Sequence, residues 1–422
     1  MAPSNAVLAR NTSLAPLDEG HSSQTVAFSH YNHLSAQLPV AAATGELVAG
    51  GITEQARQCL TNLKTVIEGI DHTLDDVIRL TVMLTDIADL AAVDEVCGEF
   101  YGDYLPTRTN LAVTALPLGA AVQIEAVVSN GVGTIPDAPQ PGDLVKVARN
   151  VAQAPSNACS TQSVAFSHYN NLSAQLPIDP ETGTLVAGGI AEQTTRCLAN
   201  IKAIMEGIDA PFDDIVKITI HLLDLADVPA VDEVYSTFFP DSAIARTAGY
   251  LPARSIVAVT GLPEGARVQV EAVLSHGDGT PPQAVEDRHG LVIWAANTDQ
   301  APRDAMSTQS VAFSHYNNVS ALLPFDATGA LVAGGAKEQA GQCLANLKAI
   351  VESIGHSLAD VVKVNVFVAD LGELDELQAA YAEYFPGGVP ARRVVQVPAL
   401  AKGVRVMMDA VVANAEGTPP RR

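Results

Sequence analysis

Three arginines each stand two residues after a proline, in Pro106 to Arg108, Pro252 to Arg254 and Pro390 to Arg392. A guanidinium is planar, permanently charged and meets a carboxylate with two parallel N–H donors. Such a group can pair with a carboxylate, whether of a ligand or of the chain itself, or with backbone carbonyls. Three histidines recur in the run FSHYN at 28–32, 166–170 and 313–317. His30, His168 and His315 could exchange protons near neutrality; the plainer reading makes them turn residues held by packing and hydrogen bonds.

These groups recur because the chain repeats. SSQTVAFSHYNHLSAQLP at 22–39 returns as STQSVAFSHYNNLSAQLP at 160–177 and as STQSVAFSHYNNVSALLP at 307–324. The offsets, 138 from His30 to His168 and 147 from His168 to His315, exceed solenoid periods and fit whole domains. Gly-, Pro- and Asp-rich stretches at 133–143 and 277–290 read as linkers, which divides the chain into 1–135, 136–280 and 281–422.

Periodicity gives the order of elements within a copy. A β-rich opening (NAVLARN, LVKVARN, LVIWAAN) leads to a hairpin around SHYN, then a TG turn and a Gly-Gly pair. The next segment places Ala56, Cys59, Leu60, Leu63 and Ile67 at helical spacing, predicting a helix with one buried face. A strand at VIRLTVMLTDI, a second helix from about Ala88 and strands at RTNLAVTAL and AVQIEAVV complete a βββαβαββ order, an α+β layer with helices on one face of a mixed sheet.

Composition narrows the function classes. The 422 residues are 48% hydrophobic and 17% charged, enough for sizeable cores. A formal net charge of −23 with no basic run argues against nucleic acid as a partner. Cys59, Cys197 and Cys343 repeat inside the amphipathic helix and read as buried, reduced apolar residues, whereas Cys97 and Cys159 have no counterparts. No metal-ligand spacing, phosphate loop or dinucleotide fingerprint occurs, so no metal or cofactor is expected. No targeting or membrane-spanning segment is recognised, and a cytoplasmic location without membrane partners is the expectation.

SAQLP at 35–39, the TG turn, EQARQCLTNLK in the first helix, the Pro106–Arg108 motif and ALPLGAAVQIEAVV at 115–128 together resemble the reactive intermediate deaminase (RidA, also called YjgF) family. The likeness extends over nearly all of each copy, and copy three, with SALLP and ALAKGVRVMMDAVV, diverges most. It implies a chorismate-mutase-like fold in which three domains surround a central β-barrel, with helices outside and ligand sites in the clefts between domains. Three fused copies would then form a monomeric pseudo-trimer.

The resemblance also assigns roles. Arg108, Arg254 and Arg392 match the arginine that grips the carboxylate of a 2-imino or 2-enamino acid. The family glutamate fifteen residues further on, thought to position or activate water, becomes Gln123, Gln269 and Met407. Glutamine can hold a water but cannot take its proton, and methionine can do neither. Counted copy by copy, Arg goes with Gln in copies one and two and with Met in copy three, which would mainly complete the barrel. The family tyrosine before the SQ dipeptide becomes Ser22, Ser160 and Ser307, and the residues two after the arginines are Asn110, Ile256 and Val394. Glu125, Glu271 and Asp409 share a strand face with the Gln/Met positions but match a different family position.

Two functional readings follow. The first is hydrolysis or tautomerisation of a small carboxylated imine, enamine or related unsaturated acid, with Gln123 or Gln269 holding water and His30 or His168 available for proton transfer. The second is a noncatalytic keto acid binding or regulatory protein. A specialised biosynthetic reaction on a larger substrate stays open within the first, and a ribonuclease-like activity is disfavoured by the charge.

Overall fold

The structure, a computed structural model, describes residues 7–18, 20–130, 145–239, 250–276, 279–280, 292–386 and 390–418. The boundary at 135/136 and the linker at 133–143 lie outside the described residues, as does most of the linker at 277–290.

Copy one runs β1 (Leu8–Arg10), β2 (Thr25–Phe28), β3 (Tyr31–Leu34), α1 (Ile52–Glu68), β4 (Val77–Leu84), α2 (Leu90–Phe100), β5 (Thr107–Ala112) and β6 (Val122–Ser129). Copy two repeats it as β7 (Val147–Arg149), β8 (Ser163–Phe166), β9 (Tyr169–Leu172), α3 (Ile190–Gly207), β10 (Ile215–Leu222), α4 (Val228–Phe238), β11 (Ala253–Ala258) and β12 (Val268–Ser275). Copy three has β13 (Trp294–Ala296), β14 (Ser310–Phe313), β15 (Tyr316–Leu322), α5 (Ala336–Ser353), β16 (Val361–Val368), α6 (Leu374–Tyr384), β17 (Ala391–Gln396) and β18 (Val406–Ala413). This is the βββαβαββ order expected from periodicity.

Each copy forms a six-stranded sheet, in copy one of order β1-β2-β3-β6-β4-β5. β4 and β5 pair in parallel through the α2 crossover, and the other neighbours are antiparallel. The Gly-Gly pair starts the long helix. Gly50 has φ 119°, and a Cβ there would come within 2.7 Å of the Glu54 side chain. Gly51 is the N-cap, and its N–H donates to Glu54 Oε2 at 2.9 Å, closing the first turn. The same pairs, Gly189 with Glu192 and Gly335 with Glu338, open α3 and α5.

The predicted face of α1 is buried: Ala56, Cys59, Leu60, Leu63 and Ile67 all pack into one core with Leu80, Val82 and Ile124. Comparable cores lie under the helices of copies two and three. The opposite sheet faces meet across copies. One shared cluster joins Phe28, Tyr31, Phe166, Tyr169, Phe313 and Tyr316, and another joins Leu111, Val113, Val257, Val259, Phe367 and Val395. At about 25 cal/mol per Å² of buried apolar area, exposing these faces in separated copies would be costly, so they hold the copies together.

The contacts between copies are cyclic. Tyr31 donates its hydroxyl hydrogen to the Phe166 carbonyl, Tyr169 to that of Phe313, and Tyr316 to that of Phe28. At the seams Ala174 N–H donates to Arg108 O and Ala36 N–H to Arg392 O, both at 3.1 Å. The strands remain three sheets that face one another, because the seams carry few backbone bonds of this kind. Among the described residues no helix is long and apolar enough to cross a membrane, and no group of three His, Cys, Asp or Glu residues could hold a metal ion.

Candidate active site at the copy boundaries

Each PxR arginine is buried at a seam, held by the backbone of its own edge strand against the next copy. The Arg108 N–H donates to Ser173 Oγ at 2.8 Å, that of Arg254 to Ser320 Oγ at 2.9 Å, and that of Arg392 to Ser35 Oγ at 2.8 Å. These serines open SAQLP, SALLP and SAQLP, so the repeated motif fixes the arginine of the preceding copy in the cycle.

The registers pair arginine and glutamine differently from a count within one copy. Arg108 lies opposite Leu80, on the helix side, whereas Gln123 lies opposite Met83 on the other sheet face. Across the seam the path is short. Ala174 bonds to Arg108 and the adjacent Gln175 to Val270, next to Gln269. Arg392 is likewise joined through Ala36 and Gln37 to Ile124, next to Gln123. Arg254 reaches Ser320 on β15, where Leu322 pairs with Met408, next to Met407. The seams therefore join the strand of Arg108 to that of Gln269, the strand of Arg392 to that of Gln123, and the strand of Arg254 to that of Met407. Gln123 and Gln269 are buried, and among the described residues their Oε1 atoms have no hydrogen-bond partner.

The guanidiniums meet carboxylates of the chain itself. Arg254 Nη1 donates to Asp232 Oδ1 at 2.5 Å and Nη2 to Asp304 Oδ2 at 3.2 Å, with the Tyr235 ring 5.0 Å from the guanidinium carbon. Burial lowers the pKa of Arg254, but Asp232, Tyr235 and Asp304 outweigh it and raise the net value. Arg392 Nη2 donates to Asp18 Oδ2 at 2.9 Å over the Tyr381 ring, while its Nη1 has no hydrogen-bond partner among the described residues. The serines at the family tyrosine position join these bridges: Ser22 Oγ donates to Asp18 at 2.6 Å and Ser307 Oγ to Asp304 at 3.2 Å.

The Arg108 seam is built otherwise. Its Nη1 lies 2.7 Å from Asp94 Oδ1, poorly aligned for a hydrogen bond, and Nε donates to Asn110 Oδ1 at 2.7 Å, while Nη2 has no hydrogen-bond partner among the described residues. Cys97 occupies the eighth position of α2, where α4 and α6 carry Tyr235 and Tyr381, so the tyrosine that stacks on Arg254 and Arg392 has no counterpart on α2. Ser160 is buried nearby, and the partly exposed Cys159 hydrogen-bonds Asp94. Burial first, and Asp94 next, push the Cys159 thiol upward, so it is protonated at neutral pH.

His30 and His168 lie away from the arginines. The turn between β2 and β3, with Ser29 at φ 47°, puts His30 Nδ1 3.3 Å from Asn130 O and its ring edge-on to Phe166. His168 packs on Phe313 and His315 on Phe28 in the same way. Burial, then the charge of His315, draws the His168 pKa down to about 4, and burial lowers those of His30 and His315. The histidines are packed turn residues of the apolar axial cluster, where the β2–β3 hairpin must place them. Glu125, Glu271 and Asp409 also face inward, in ion pairs between copies.

Asp94, Asp232, Asp18 and Asp304 were not singled out by sequence reasoning. The first two share the run VDEV on α2 and α4, a signal visible in the repeat, whereas Gln378 stands there in α6. Asp18 and Asp304 precede their serines by four and three residues, so no common register marks them.

The family model described as Endoribonuclease L-PSP matches residues 12–130, 151–275 and 300–414. A RutC family protein of Pyrococcus abyssi is 41% identical over 113 residues, covering 27% of this chain and 83% of that protein. The 2-iminobutanoate/2-iminopropanoate deaminase of Capra hircus is 36% identical over 121 residues, covering 29% and 88%. The crystal structure of RidA from an Antarctic Psychrobacter is 34% identical and covers 29% of this chain and 98% of that chain, with a TM-score of 0.28. The chain belongs to the Endoribonuclease L-PSP family, present here as three tandem copies.

Proposed function

We propose that this protein is a RidA-like enzyme that binds a small carboxylated imine or enamine between copies and hydrolyses or tautomerises it, with the Arg108 seam as principal site. The observation that carries the reading is the buried Arg108 guanidinium, neither of whose Nη groups has a hydrogen-bond partner among the described residues, beside a partly exposed cysteine and with no counterpart of the tyrosine that stacks on Arg254 and Arg392. A substrate carboxylate would accept from Nη2. Water adds to the C=N carbon, the nitrogen gains protons, and C–N cleavage releases ammonia and leaves a 2-keto acid. Gln269 Oε1 would accept one water hydrogen and orient the attack; the departing proton goes to the imine nitrogen or to solvent. In this reading residues 1–135, 136–280 and 281–422 are the three domains of a monomeric, cytoplasmic pseudo-trimer.

The test is ammonia release from freshly generated 2-iminobutanoate. Faster release with the wild-type chain than in buffer, lost in Arg108→Met with an unchanged melting temperature, is expected; equal rates with and without protein would overturn the deaminase reading. The replacement of the family acid by Gln123, Gln269 and Met407 favours a second reading, keto acid binding without turnover. Saturable 2-ketobutanoate binding together with inertness toward every imine tested would select it.

A further inference from the structure

Between the two apolar clusters shared by the copies lies a cavity of about 100 Å³ lined largely by polar side chains. Its wall is built from pseudo-equivalent positions. Arg79, Lys217 and Lys363 occupy the third residue of β4, β10 and β16, and each meets an acid of the next copy in the cycle. Arg79 pairs with Glu271 at 3.1 Å, Lys217 with Asp409 at 3.4 Å and Lys363 with Glu125 at 2.8 Å. These pairs cancel in charge.

One residue breaks the balance. Where β5 and β11 carry Thr109 and Ser255, β17 carries Arg393, which pairs with the already matched Glu125 at 2.6 Å. Burial raises the Glu125 pKa, but Arg393 and Lys363 outweigh it and bring it down to about 2, and at Asp409 burial is likewise outweighed by Lys217, Ser255 and Asn365. Counted as formal charges, four cations face three acids, so one positive charge is left over. Arg393 Nε has no hydrogen-bond partner among the described residues.

A layer of unpartnered nitrogens adds to this charge. His33, Asn171 and Asn318 stand at the third position of β3, β9 and β15, line the cavity and are each more than nine-tenths buried. Among the described residues His33 Nε2, Asn171 Nδ2 and Asn318 Nδ2 all lack a hydrogen-bond partner. Leaving a buried donor unmade costs about 1–3 kcal/mol, so converging ones call for an occupant that accepts hydrogen bonds. Burial, then Lys363 and Arg79, lowers the His33 pKa to about 3, which keeps that ring neutral.

We propose that this axial cavity is a second ligand site, separate from the arginine seams, that takes one small oxyanion per chain, its oxygens accepting from Asn171, Asn318 and Arg393. Phosphate and carboxylate share this chemistry. In a homotrimer such a site would have threefold symmetry; here Arg393 gives it one preferred side, which suits a ligand with a single charged end.

Calorimetric titration of the full chain with inorganic phosphate and, separately, with malonate tests the proposal. At low millimolar concentration at least one probe binds with a stoichiometry of one, and whichever binds more tightly identifies the oxyanion class. Arg393→Gln weakens that binding about tenfold, as expected for loss of a charge-assisted contact. Asn171→Leu with Asn318→Leu abolishes it while the unliganded melting temperature holds or rises, because unpaired donors are removed. Arg108→Met leaves it intact, which separates this site from the seam. The proposal is overturned if neither probe binds, if binding survives the asparagine double variant, or if it disappears in Arg108→Met.

Discussion

The seam at Arg108 and the seam at Arg254 descend from the same motif and are built to opposite effect. Arg254 is held by two aspartates of the chain over a tyrosine ring and faces the strand that carries Met407. Arg108 has one poorly aligned acid, a cysteine in place of the ring, a free Nη2 and the strand of Gln269. In a homotrimer any change in one cleft appears in all three. Fusion removes that constraint, so one seam can be sealed as structure while another keeps room for a ligand.

Acid is expected to have the largest effect, and it acts on both seams together. His30, His33, His168, His221 and His315 all have lowered pKa values, to about 3 for His33 and about 4 for His168 and His221, chiefly through burial. The unfolded chain binds these protons near pH 6.5 and the folded chain does not. Their contribution to stability is therefore complete above that pH and is lost as pH falls toward 4, at up to about 1.4 kcal/mol per histidine per pH unit. Urea melts from pH 7 to 4 should show a steadily falling midpoint in one transition; a flat profile would contradict the buried histidines.

Gln269→Glu comes next. Restoring an acid on the strand across the seam from Arg108 should raise imine hydrolysis by on the order of 100-fold. Met407→Glu at the Arg254 seam should change little, and equal gains would erase the contrast between the seams. Arg108→Met should weaken 2-ketobutanoate binding about tenfold or more, against less than twofold for Arg254→Met, measured by calorimetry. The smallest effect is expected from Asp304→Asn, which loosens one of two clamps on Arg254 and should add a weak second keto acid site with affinity improved a few-fold. No change in stoichiometry would mean that Asp232 alone seals the seam.

Much of this was legible in the residues. The helical spacing of Ala56, Cys59, Leu60, Leu63 and Ile67 predicted the buried face of α1, because a helix must turn its apolar stripe to a core. The three copies and their strand order followed from repetition and alternation. The composition of each seam did not, because it depends on which copy stands next to which: Arg108 shares a seam with Gln269, 161 residues away in sequence, instead of Gln123. Asp18 and Asp304 stayed hidden for another reason. They reach the arginines from loops of unequal length, and loop geometry follows no period. Arg79, Lys217 and Lys363 look like surface cations in a strand until three sheets face one another.

The tyrosine cycle also bears on how the molecule is made. Tyr316 closes the ring on Phe28 across 288 residues, while the other two links span 135 and 144. During synthesis copies one and two can dock as soon as they emerge, but both outer flanks of that pair stay open until copy three is released. The nascent two-copy intermediate therefore exposes the apolar ground on which copy three will sit, and closure of this long loop is expected to be the slow folding step. A chain truncated after copy two would carry those flanks permanently and should recruit a copy from another molecule.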